Sequence, residues 1–138
     1  MEHASLAGPR PAAIRRRRAL TLAALAAWAI AVPWVARAVG LALDVPTRLE
    51  VIDHVVPGVV VLACCAALAR ASEPSALPAL GAAALACLAG FWITATHAPL
   101  LPEAIDGISS WGAALLHLSA GPPITLYALW MLLSDAGG

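Results

Sequence analysis

The sequence predicts an all-α integral membrane protein, a four-helix bundle with both termini in the cytoplasm. Three observations carry that reading. Of the 138 residues, 62% are hydrophobic and only 12% are charged, against roughly 25% charged in a typical soluble domain. Four apolar runs, Ala19 to Ala36, Val55 to Ala69, Ala76 to Thr96 and Ile108 to Ser134, approach or exceed the about 20 residues that a helix needs to cross hydrocarbon. No segment alternates with the period of two that marks a strand.

The arginines orient the chain. All eight basic residues are arginine: Arg10, Arg15 to Arg18 and Arg70 fall on one side of the expected spans, and only Arg37 and Arg48 on the other. The positive-inside rule therefore places the termini and the Arg70 to Ser75 turn in the cytoplasm, and Arg37 to Asp53 and His97 to Ser110 outside. Residues 1–14 read as a disordered cytoplasmic tail and 15–138 as the transmembrane domain, with helices at about 18–40, 50–70, 76–97 and 108–134. The first run follows four arginines, as a secretory signal would, but it is too long for one and lacks a small-x-small cleavage site, so it is expected to be retained. The expected location is the inner (cytoplasmic) membrane, multi-pass. A formal net charge of zero gives no case for a nucleic-acid partner, and the arginine run is read as a topology signal.

The second apolar run is short and recruits Leu49 to His54 at its start, which sets ionisable groups at the membrane edge. The turn ASEPSALP, with Pro74 and Pro78 and with Ser72 and Ser75 as caps, joins helices two and three. Each half then gives a tryptophan, an acidic loop, a histidine and a proline beside a glycine: Trp34, His54 and Pro57-Gly58, then Trp92, His117 and Gly121-Pro122. That parallel suggests a pseudo-two-fold repeat of hairpins about the membrane normal. Trp34, Trp92 and Trp111 suit the headgroup zone. Pro33, Pro57, Pro122 and Pro123 are expected to kink helices and free carbonyls. Cys64, Cys65 and Cys87 lie in apolar runs without metal-type spacing and read as small buried hydrophobes.

The chemistry concentrates on the outer side. His3 falls in the tail, but His54, His97 and His117 all map outward, with Asp44, Glu50, Asp53, Glu103 and Asp106. Ionisable residues at membrane depth are costly and tend to face the bundle interior or water. His54, His97 and His117 are therefore candidate metal ligands, suited to copper or zinc. His54 and His117 alone would suit bis-histidine haem b or a chlorin. Glu50, four residues before His54, would share its helix face and orient the imidazole from behind, with Asp53 as a second orienting or entry group. Imidazoles ligate in the neutral form, so metal should be released as pH falls towards about 5 to 6. Ser109, Ser110 and Ser119 lack any nucleophile-elbow motif, which disfavours hydrolysis; whether the chain is an enzyme stays open, with a non-enzymatic role favoured.

THAPLLPEAI, followed by WGAALLHLSAGPPITLYALW, resembles the CtaG family of cytochrome c oxidase assembly factors, in which a His-x-Pro segment precedes a helix bearing histidine and then small residues or proline. DHVVPGVVVL is similar to that family's other histidine-bearing helix. The resemblance matches His97 with Pro99 to the His-x-Pro, His117 to the helical histidine and, more loosely, His54. It implies a polytopic membrane protein that assists maturation of a respiratory or related redox complex on its copper side, among other membrane subunits. Family members carry more helices, a tyrosine where this chain has Pro102, and a histidine partner where it has Ala113. A chain that mainly packs against partner helices as a structural accessory subunit is the other class of function the sequence allows, since alanine and glycine let backbones approach closely.

Overall fold

The computed structural model describes residues 11–43, 47–71 and 77–136. They form six helices: α1 (Pro11–Ala38), α2 (Thr47–Arg70), α3 (Leu77–His97), α4 (Leu100–Ile105), α5 (Trp111–Leu118) and α6 (Gly121–Ala136). Among them are four stretches long and apolar enough to span a membrane: Ala12–Ala38, Arg48–Arg70, Leu77–Ile105 and Trp111–Ser134. The chain is thus a multi-pass membrane protein by length and composition, all-helical among the described residues.

Three boundaries differ from the sequence reading, each for a local reason. α1 starts at Pro11, so residues 11–14, expected as tail, are its first turn. Proline suits that place because its missing amide would have no helical acceptor. Residues 1–10, His3 included, lie outside the described residues, as do Asp44 and most of the Arg70 to Ser75 turn. The outer loop after His97 holds a helix of its own, α4, where a plain loop was expected. The last span, expected as one helix over 108–134, is two. Ser110 caps α5 by accepting from the Ala113 amide at 3.0 Å, and α5 stops before Pro122 and Pro123, which would remove two consecutive helical donors. As the opening residues of α6 the same prolines cost nothing. Trp28 Nε1 donates to Ser119 Oγ at 2.8 Å and fastens the break to α1.

The four spans pack in a ring, α1 on α2, α2 on α3, α3 on α6, and α1 again on α5 and α6. Its core is built largely from alanine, with Leu22, Val61, Ile93, Ile124 and Met131 as larger buried fillers. Helices in lipid gain little from apolar burial against one another, so small residues that let backbones close up do the holding. The tightest approach is between α3 and the start of α6. A Cβ at Gly121 would lie 2.6 Å from the Thr94 backbone nitrogen, and one at Gly90 2.7 Å from that of Thr125. Cys64 and Cys65 are buried, Cys87 half-buried, and all three are free thiols packed with this core.

That packing fixes what surrounds the histidines. α2 continues past Pro57 without a break, carrying Glu50 and His54 on its first two turns. α3 ends at His97, and α5 ends one residue after His117. The three helices therefore deliver their polar side chains to the same end of the bundle.

Candidate functional site

Among the described residues the buried polar or charged side chains are Glu50, His54, His97 and His117, each no more than 4% exposed. All four meet. The ring centroids of His54 and His97 are 4.4 Å apart, those of His54 and His117 5.6 Å, and those of His97 and His117 5.5 Å. Glu50 Oε1 lies 3.5 Å from His117 Nε2. The three histidines singled out from sequence are thus brought together, and Glu50 joins them as a wall of the site.

The protons can be assigned from the backbone. His97 Nδ1 lies 2.9 Å from the Ile93 carbonyl, and His117 Nδ1 lies 2.9 Å from the Ala113 carbonyl. A carbonyl only accepts, so each Nδ1 donates and each neutral ring keeps its lone pair on Nε2. Thr96 Oγ1, 3.0 Å from His97 Nδ1, shares that proton. His54 Nε2 lies 3.1 Å from His97 Nε2, so with neutral rings it is the donor of that pair, and its own Nδ1 is left as a buried acceptor without a partner. The Ala29 carbonyl, deprived of its helical donor by Pro33, is within electrostatic reach of the His54 ring but short of a hydrogen bond to Nδ1.

The contact between His117 and Glu50 is stranger. With the His117 proton on Nδ1, a lone pair on Nε2 faces a carboxylate oxygen across 3.5 Å, and neither atom has any hydrogen-bond partner. Two buried acceptors aimed at one another are costly. The arrangement calls for a positive charge between them, a proton or a metal ion.

Glu50 is held from its other side. Arg37 Nη2 donates to Glu50 Oε2 at 3.2 Å, so one carboxylate oxygen takes a guanidinium and the other points into the cluster. This corrects one expectation and adds one residue. Glu50 does not orient His54 along its own helix but turns across the bundle to His117, because α2 rotates that face inward towards α5. Arg37 was not among the sequence candidates; the available signal was its place as the basic residue that closes α1 beside the acidic loop. Asp53 stays apart from the cluster and lines a cavity of about 660 Å³ with Glu50, Thr96, His97, Glu103 and Ser110. That cavity opens above the histidines and reaches them through Glu50 and His97.

Among the described residues no group of three or more His, Cys, Asp or Glu side chains is placed, as it stands, so that it could hold a metal ion. One pair of donors nonetheless has ligand spacing. Bonds of about 2.0 to 2.1 Å at tetrahedral angles put neighbouring nitrogens roughly 3.3 Å apart, and His54 and His97 present theirs at 3.1 Å. Imidazoles held through Nδ1–H to backbone carbonyls, with Nε2 inward, are the usual support for metal-bound histidine. A porphyrin fits less well. It would have to slot between His54 and His117, and His97 lies against both rings.

No family model, no curated protein and no solved structure matches the chain.

Proposed function

We propose that the chain handles a transition-metal ion, copper before zinc, at the histidine end of its membrane bundle. His97 and His117 would be ligands through Nε2, and His54 likewise once its proton moves from Nε2 to Nδ1. Glu50 is the fourth donor or near neighbour, and Asp53 lies at the entry. The observation that carries the reading is the pair of orphaned acceptors, His117 Nε2 and Glu50 Oε1, which face each other across 3.5 Å in a buried site. Imidazole suits both copper and zinc. Charge also favours copper. Arg37 already neutralises Glu50, so an ion in the cluster brings its whole charge into a poorly solvated place, where a monovalent ion costs less than a divalent one.

On this reading the histidine end faces outward, as the arginine distribution implies, and the cavity beside Asp53 and Glu103 is the aqueous route to the ligands. The likeness to the CtaG family adds the setting, supply of copper to a membrane redox complex among other membrane subunits. Elemental analysis of the purified chain, wild type against His117→Ala, tests the reading. Metal retained by the wild type and lost from the variant is the expected result, and equal metal content in both sinks it.

A further inference from the structure

The opposite end of the bundle carries a second built feature that the metal reading does not use. A groove of about 460 Å³ runs between the first turns of α1 and the body of α6, lined by Ile14, Arg17, Arg18, Thr21, Tyr127 and Trp130. Arg18 is fixed there. Its guanidinium lies over the Trp130 ring, 4.9 Å from the centroid, and its Nη2 donates to Ser134 Oγ at 3.2 Å. Trp130 in turn packs against Tyr127, with ring centroids 5.4 Å apart. Stacking on an indole holds the planar fork of donors in place before any ligand arrives, which reduces the ordering cost of binding.

We propose that this groove binds the headgroup of one anionic phospholipid, with the phosphodiester between Arg17 and Arg18. Charge complementarity selects the occupant. Arg15 to Arg18 put four positive charges into little more than one turn of α1, whereas the sequence of α6 contains a single acidic residue, Asp135. Guanidinium forks match phosphate oxygens two at a time. The hydroxyls of Thr21 and Tyr127 border the groove as hydrogen-bonding groups for a polar headgroup, and Ile14 and the aromatic rings give its upper acyl region an apolar wall. The depth is right as well. The four arginines directly precede the apolar run that begins at Ala19, so the groove lies where headgroups meet hydrocarbon, and there each basic residue adds attraction to anionic lipid. Topology alone would need the charges but not the groove, the stacking or the serine contact.

The test uses the full chain, stripped of lipid in detergent and titrated with phosphatidylglycerol or phosphatidylcholine under native mass spectrometry. One phosphatidylglycerol per chain should persist at lipid levels where phosphatidylcholine is lost. Arg17→Gln/Arg18→Gln should reduce that selectivity by roughly fivefold per arginine, the factor that about 1 kcal/mol per basic residue at an anionic surface corresponds to. Arg48→Gln, at the histidine end, should leave it unchanged. If the double variant loses helix content, Arg17→Gln alone serves, with a loss of roughly fivefold expected. Equal retention of the two lipids overturns the proposal, as does unchanged selectivity in folded arginine variants. Displacement of the lipid by inorganic phosphate at the same concentration would show an anion site rather than a lipid site, and also overturns it.

Discussion

The two ends of this bundle treat charge in opposite ways. At the histidine end Glu50, His54, His97 and His117 are withdrawn from solvent and pressed together, and Glu50 and His117 meet through acceptor atoms that lack partners. At the arginine end Arg16 and Arg17 stay exposed, and Arg18 stacks over a ring and donates to a hydroxyl. Long side chains at helix ends can reach the interface and keep their charge in water. Imidazoles and a glutamate on interior helix faces cannot. The difference teaches that the first end spends folding free energy on opposed acceptors that, on the proposed function, a cation would reconcile, whereas the second keeps most of its charge within reach of water.

The sharpest way to break that contrast is to remove a ligand. His117→Ala should take bound metal from stoichiometric to background, because the remaining imidazoles cannot close the coordination sphere. Its effect on lipid selectivity at the other end should be nil, since the two clusters share no residue. Loss of both properties together would mean that the ends are one cooperative unit, and a melting curve would show the variant simply unfolded.

Glu50→Gln separates site from scaffold more finely. The new amide can donate to His117 Nε2, which turns two opposed acceptors into a hydrogen bond, and Arg37, half exposed at 51%, keeps its contact with water. The metal-free protein should therefore become more stable by about 1 kcal/mol, the usual net worth of such a bond. Metal affinity should fall by roughly 10- to 100-fold, as for loss of a supporting carboxylate. Thermal unfolding in detergent and a metal titration read the two signs independently. A variant that loses stability in the metal-free state would show that Glu50 is in the fold for structural reasons alone.

Between the ends lies the α3–α6 contact, and Gly121→Ala tests whether the histidines depend on it. The added methyl would meet the Thr94 backbone nitrogen at 2.6 Å, an atom that cannot rotate away, so α6 must shift. Overpacking of this kind costs about 1 to 3 kcal/mol. Because His97 lies one turn beyond Thr94, metal affinity should fall in step with the melting temperature. An unchanged melting temperature would show that α6 has room to move.

How much of this was legible in the chain follows from which interactions are local. Each span is its own hydropathy signal, so all four could be read without knowing their neighbours, and the arginine bias assigned His54, His97 and His117 to one side. Sidedness is enough to gather three side chains when only four helices share a bundle. It is not enough to aim them. The turn of Glu50 towards His117 depends on the rotation of α2 about its axis, and the almost uniformly apolar α2 offers no stripe from which to read that rotation. The break after α5 was half legible, since Pro122 and Pro123 announce a disruption but not that both can open a new helix. The groove beside Arg18 was not legible at all, because it needs the N-terminal span to lie against the C-terminal one, a pairing of residues 116 positions apart at Arg18 and Ser134.

The smallest effect concerns Arg37, and it bears on why the histidine end should prefer one ion charge over another. Arg37 holds Glu50 Oε2 at 3.2 Å from a half-exposed position. Arg37→Gln removes that compensating charge while an amide can still donate to the carboxylate. The cluster then offers three neutral imidazoles and one unneutralised carboxylate. A divalent ion gains more from that carboxylate than a monovalent one, since the Coulomb attraction scales with ion charge. Exposure and screening on the Arg37 side limit the change, so the expected shift is a few-fold, towards zinc and away from cuprous ion. Competition between the two metals on wild type and variant reads it directly. A ratio that does not move would mean that Glu50 stands outside the coordination sphere, and the contrast between the ends would then rest on the histidines alone.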